Sequence, residues 1–381
     1  MLSLRHINKN LSMYPLLFPD DQVLIRKGKE VAVDDLVVFR SKGKYICHRV
    51  IYLNKDEGYL VTKGDANKKS DGKIKLSEVL GTVKKVKRNG RLINLKHVYF
   101  SESLLYLSEI SLVLDRLQQL GLNYVFLKGL PIYLFFEGHV PQRIYFDVDI
   151  LIKENDKLKI HKILVALGYR PVKTKLFNKE TLDFTQINYH KEIGNFSVVI
   201  DVHLQAAVGF TKSAKLNRLL PDLRDYSRHL FSQTTLFVQD NKEFSILNQE
   251  ECVFYLLLHI FHHNFKGYQR YELLSYIVKH YSVNWGKIKE LAITYRFRKI
   301  IYISTRFLQK YYHVSVPNGF FPGLDISPIA KLLSNLILNF TRIFDDDDRN
   351  VARLKRFFLV FIYSDLAFFR KLGVIFRLLI N

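Results

Sequence analysis

Residues 138–152 read GHVPQRIYFDVDILI, and the decisive part is DVDILI (147–152), where Asp147 and Asp149 flank one valine and lead into an apolar run. A short run of valine, isoleucine and leucine predicts a strand. Its period of two puts both aspartates on one face and Val148 on the other. Two carboxylates side by side on a half-buried strand repel and are poorly solvated, so the arrangement requires a positive charge between them. A metal ion is the expected answer.

The flanks extend this pattern. YVFLKG (124–129) reads as a strand ending in Lys128 and Gly129, and LPIYLFFEG (130–138) as a helix. KLKIHKILVALGY (157–169) reads as a helix closed by glycine, and FSVVIDVHL (196–204) as a strand carrying Asp201. Such alternation indicates an α/β unit. Before it, SESLLYLSEISLVLDRLQQLGLNY (101–124) has helical spacing and ends at Gly121, a C-cap. Residues 1 to about 98 are rich in β-branched alternation punctuated by glycine, as in QVLIRK (22–27), DDLVVFRS (34–41), YICHRVIYL (45–53), GYLVTKGD (58–65) and GTVKKVKRNGRLINL (81–95). These predict short strands in a small β domain. After about Ser245 the chain is helical and aromatic, broken by HVSVPNGFFPGLDISP (313–328) and DDDD (345–348). The expected fold is α+β and multidomain: an N-terminal β domain over 1–98, a central α/β domain with a mixed sheet over 99–240, and a helical C-terminal domain over 241–381.

A chain of 381 residues exceeds one ordinary core, and 48% apolar residues leave little room for disorder. The net charge of +22 favours polyanionic partners such as nucleotides, nucleic acid or an acidic membrane surface, without choosing among them. Cys47 and Cys252 are the only cysteines and lie far apart in sequence, which argues against a disulfide framework and fits a reducing compartment. MLSLRHINKNLSMYP at the start has no secretion-signal core and reads as cytoplasmic. The apolar stretch 357–380 is interrupted by Asp365, Arg370, Lys371 and Arg377, so it predicts a basic amphipathic helix, packed on the body or, second, in peripheral contact with a membrane.

Transfer of a phosphoryl or nucleotidyl group requires divalent metals that neutralise the triphosphate and position its leaving group. Magnesium, or manganese in its place, takes oxygen ligands from two or three acids. Asp147 and Asp149 supply two, and Asp201 on a neighbouring strand is the expected third. Gly129 lets backbone amides approach a phosphate, and Lys128 adds a point charge. Arg143 either braces the triphosphate or pairs with the acids. His203 should share a face with Asp201. His259, His262 and His263 lack an acid or cysteine at ligand spacing, which favours helix-facing contacts over a zinc site.

LKG (127–129), Arg143, DVDILI (147–152), LGY (167–169), IDVHL (200–204) and the helical stretch 256–288 together resemble the uncharacterised nucleotidyltransferase family of the DNA polymerase β-like superfamily. The resemblance spans about 103–300. It implies that Asp147 and Asp149 bind the metals, that Asp201 completes the site and helps deprotonate the acceptor, and that Lys128 with Gly129 meets the phosphates. The superfamily's usual Gly-Ser after the first strand is Lys-Gly here.

A second constellation lies in LSMYPLLFPDDQVLI (11–25), KYICHRVIYL (44–53) and GYLVTKGDANKKSDGKI (58–74). In order and spacing these resemble the signal peptidase family of the archaeal and endoplasmic-reticulum type, over residues 10–85. The resemblance implies Ser12 as nucleophile, His48 as its base and Asp71 as the acid orienting His48, with Asp65 holding the turn. Serine needs such a base because its hydroxyl is barely ionised at neutral pH. Members of that family carry a membrane helix before the serine, and with eleven residues ahead of Ser12 the expectation here is a soluble protein of that fold. Cys47 should face away from His48 and serve packing.

The leading expectation is a metal-dependent transferase that moves a nucleoside monophosphate from a nucleoside triphosphate to an acceptor hydroxyl on a peptide, protein or small molecule, as a step in peptide maturation. The alternatives are a soluble serine peptidase acting on a leader peptide, and a degenerate RNA- or membrane-binding protein. Nucleic acid is the less favoured partner, because the basic residues are spread along the chain.

Overall fold

The Asn89–Gly90 pair takes positive φ at both residues, +49° and +79°, which is the turn a tight hairpin requires. It joins two strands, Val79–Arg88 and Arg91–Asn94, of a sheet whose strands all come from the first 94 residues. The computed structural model describes residues 2–6, 11–14, 16–28, 30–41, 43–139, 145, 147–172, 185–194, 196–206, 214–346 and 349–380. The strands of this first sheet are β1 (Leu2–His6), β2 (Gln22–Arg26), β3 (Leu36–Ser41), β4 (Lys44–Asn54), β5 (Tyr59–Lys63), β6 (Lys73–Lys75), β7 (Val79–Arg88) and β8 (Arg91–Asn94). Their order is β1-β2-β7-β3-β4-β5-β6, with β8 on β7, and the pairings are antiparallel. One face packs Met13, Leu16, Val23, Val38 and Cys47, the other Val37, Phe39, Val50 and Leu60. Cys47 is thus a packing residue, and burial pushes its thiol up to about 12.

Helix α1 (Leu95–Gln119) begins at Leu95 instead of the expected Ser101, because the Asn94 side chain accepts a hydrogen bond from the Lys96 N–H and caps the helix there. The second sheet follows, from β9 (Tyr124–Lys128), β10 (Val148–Ile152), β11 (Arg170–Pro171), β12 (Gln186–Ile193), β13 (Phe196–His203), β14 (Thr234–Gln239) and β15 (Lys242–Leu247), in the order β11-β12-β13-β10-β9-β15-β14. It is mixed: β10 runs parallel to β13 and antiparallel to β9. Helices α2 (Leu130–Glu137) and α3 (Lys157–Ala166) connect its strands, and all five residues of β10 are buried. The β14–β15 hairpin carries this sheet to Leu247, so we propose dividing the chain after Asn94 and after Leu247.

Beyond α4 (Leu223–His229), the later chain forms α5 (Gln249–His262), α6 (Gln269–His280), α7 (Trp285–Thr294), α8 (Arg298–Tyr312), α9 (Pro328–Phe340), α10 (Arg349–Tyr363) and α11 (Phe368–Ile380). From Glu251 to His262, α5 is buried on every side, as the centre of a helical bundle must be. Tyr268 joins this bundle to the first sheet by packing with Ile51 and Val61, and its hydroxyl donates to Asp34 at 3.2 Å. Two of the charges that interrupt the C-terminal apolar stretch act as anchors: Asp365 accepts from Arg298 and Lys371 donates to the Phe361 carbonyl at 2.6 Å. Phe340 and Phe369 remain exposed. Among the described residues no helix is long and apolar enough to cross a membrane.

Candidate active site

Backbone pairing sets three charged residues abreast. Asp149 of β10 lies directly opposite Asp201 of β13 and, on its other side, opposite Lys128 of β9. The close approach of β9 to β10 depends on Gly129, at φ +91°, where an added Cβ would meet the Asp147 carbonyl oxygen and the Val148 Cα at 3.0 Å each. The third acid therefore sits on the strand expected for it. The positive charge required between the two aspartates comes, within the chain, from Lys128, whose ammonium lies 2.9 Å from Asp147 Oδ1 and 2.7 Å from Asp149 Oδ2. Lys128, expected at the phosphates, is directed at the acids. Arg143 lies outside the described residues.

His203 Nε2 is 2.6 Å from Asp149 Oδ1. A carboxylate can only accept, so Nε2 carries the proton; Nδ1 is buried without a hydrogen-bond partner. Asp201 accepts from the Gln186 amide at 2.8 Å and from the Asn188 amide, both on β12. Burial alone would raise the Asp149 carboxyl, but the Lys128 charge and the His203 hydrogen bond carry it below the usual range. Lys128 is held protonated, since Asp147 and Asp149 outweigh its burial. Asp201 goes the other way: burial, then the charges of Asp149 and Asp147, push it up to about 8.

Ligand atoms of Asp149, Asp201 and His203 lie within 4.8 Å of one another, and all three residues are buried. Such a group could hold a divalent metal ion, and its two carboxylates are ligands of the kind magnesium and manganese take. Asp147 meets this group through Lys128. Because a ligand must be deprotonated, metal affinity should rise about tenfold per pH unit up to the Asp201 value near 8 and level off above it. Calorimetric titration with Mg2+ or Mn2+ between pH 6 and 9 checks this; Asp201→Asn should remove the slope, and a flat wild-type profile would speak against Asp201 as a ligand.

Beside the acids lies a cavity of about 400 Å3, lined by Lys128, Gly129 and Asp147, by His259, His263 and Arg270 of the bundle, and by Arg49 and Lys63 of the first sheet. That volume suits a nucleotide-sized ligand. His259 and His263 touch through their Nε2 atoms at 3.1 Å, and burial, reinforced by nearby cations, drives both well below the usual imidazole range. His262 faces Arg356 at 3.3 Å. Sequence reasoning did not find Arg49, Lys63, Arg270 or Asp346 as cleft residues. Lys63 sits inside the TKGD motif, where it reads as part of a turn.

On the first sheet, His48 Nδ1 is 2.6 Å from Asp71 Oδ2 and Nε2 is 3.0 Å from Ser12 Oγ. The carboxylate fixes the proton on Nδ1 and leaves Nε2 to accept from the serine hydroxyl. Thr62 Oγ1 donates to the same Asp71 oxygen at 2.6 Å. Asp65 takes the Arg49 guanidinium at 2.8 and 2.7 Å, and in the turn that follows the Ala66 N–H donates to the Ser12 carbonyl at 2.9 Å.

A family model described as an uncharacterised nucleotidyltransferase matches residues 96–313. Solved structures similar to the chain include the solution structure of antibiotic-resistance factor ANT(2'')-Ia, at 14% identity and TM-score 0.34, covering 56% of this chain and 98% of that one. The crystal structure of ANT(2'')-Ia in complex with adenylyl-2''-tobramycin has 14% identity and TM-score 0.33, with 52% and 98% covered. An antigenic nucleotidyltransferase-like protein from Paracoccidioides brasiliensis has 13% identity and TM-score 0.32, with 60% and 96% covered. No curated protein matches the chain.

Proposed function

Because the chain belongs to the uncharacterised nucleotidyltransferase family, we propose that it moves a nucleoside monophosphate from a nucleoside triphosphate to an acceptor hydroxyl at the cluster of Asp147, Asp149 and Asp201. The observation that carries this reading is the register that sets Asp149 opposite Asp201 with Lys128 alongside. The acceptor oxygen attacks the α-phosphorus, the bond to the β-phosphate oxygen breaks, and pyrophosphate leaves. Asp149, Asp201 and His203 would hold a divalent cation that neutralises the triphosphate. Ionised Asp201 is the group suited to take the acceptor's proton, and the Lys128 charge holds Asp149 ionised. Incubation with Mg2+ and each labelled nucleoside triphosphate, with hydroxyl-bearing peptides and small molecules as acceptors, should release pyrophosphate. An absence of both turnover and metal-dependent nucleotide binding would refute the reading.

The Ser12–His48–Asp71 hydrogen-bond chain supports a second activity, serine-nucleophile hydrolysis of a peptide, on the signal-peptidase-like sheet. A peptide acceptor cleaved by one half and nucleotidylated by the other would unite the two.

A further inference from the structure

The cavity has two electrostatic poles. Lys128 and Asp147 of the acidic cluster form one. At the other, Lys63 of β5 and Arg270 of α6 both reach a single carboxylate, Asp346, with Arg270 Nη1 at 3.2 Å. Two cations share this one carboxylate, an excess confined to the contact, since Asp34 and Glu272 also line the cavity. Arg49 does not add to it, being matched by Asp65. Lys63 faces this pole because its neighbour Thr62 points to Asp71 across the strand. The Lys63 side chain is 12% exposed, against 33% for Asp346. An ammonium so far out of water needs an anion, whereas the more exposed carboxylate can return to solvent.

We propose that Lys63 and Arg270 form the subsite for the polyphosphate tail of the nucleotide, with Asp346 as the resident anion that the phosphates replace. The inference rests on the nucleotidyl-transfer reading and extends it to the first sheet. A polyphosphate brings several charges and many acceptor oxygens to donors that now share one carboxylate. The backbone need not move in the exchange. The Asp346 N–H donates to the Lys68 carbonyl at 2.7 Å, and Asp345 accepts from the Ser70 N–H at 3.0 Å and hydroxyl at 2.8 Å, so the segment stays on the sheet when the Asp346 side chain turns away.

The test titrates the full chain, with Mg2+ present, with inorganic tripolyphosphate and with ATP, GTP, CTP and UTP. Lys63→Gln should weaken tripolyphosphate and the preferred nucleotide about tenfold or more, while Asp346→Asn should tighten both. Tightening does not arise from a damaged fold. If the wild type binds nucleotide but neither variant shifts it, or if Asp346→Asn weakens both ligands, the inference is overturned while the transfer reading stands. If the wild type binds no nucleotide, both fall.

Discussion

Asp149→Asn is expected to lower nucleotidyl transfer about 10^3-fold, a loss of ~4 kcal/mol of transition-state stabilisation. The substitution keeps the size of the side chain and removes the charge that the cation site and Lys128 both use. Three effects converge. A divalent cation loses one of its two buried carboxylates, Lys128 is left with Asp147 alone, and the His203 Nε2–H loses a charged acceptor. Asp147→Asn should cost less, because Asp147 is the more exposed of the pair and touches the site through Lys128. The measurement is pyrophosphate release at saturating nucleotide, with metal affinity read separately by calorimetry. Transfer that survives Asp149→Asn within about tenfold would place the chemistry elsewhere.

The aspartate strand was legible because its apolar run and its period of two are local properties, and Asp201 was legible for the same reason. β12 was harder. Its sequence QINYHKEI looks polar, yet Ile187 and Tyr189 are buried on one face while Gln186 and Asn188 turn to Asp201 on the other. The β14–β15 hairpin has its signal in Asp240 and Asn241, both at positive φ, but its exposed Leu236 and Val238 blur the alternation. The electrostatic partner of the aspartates was hidden: a strand-end lysine reads locally as a phosphate ligand, and only antiparallel pairing shows it beside Asp149. The cleft wall was not legible at all. Lys63 meets Asp346 across 283 residues of chain, and no local pattern encodes a contact between an appended sheet and the end of a helical bundle.

Ser12→Ala should abolish any peptide hydrolysis by the first sheet, with a loss on the order of 10^4-fold or more. Fluorophosphonate labelling of the wild type should fall on Ser12 and disappear in the variant. The size of the effect follows from the hydrogen-bond chain. The Ser12 hydroxyl gives its proton to His48 Nε2 as Oγ attacks a carbonyl carbon, and the imidazolium so formed is stabilised by Asp71, which Thr62 holds in place. His48→Ala should cost nearly as much, since each residue works through the others. Asp71→Asn should leave the fold intact and still slow the reaction, because an amide can donate to Nδ1 and so favour the tautomer in which Nε2 no longer accepts. Pyrophosphate release, which uses none of Ser12, His48 and Asp71, serves as the control in the same preparations. A wild type that neither labels nor cleaves peptides while still releasing pyrophosphate would reduce the triad to a hydrogen-bonded support of the sheet and leave the proposed chemistry to the aspartate cluster.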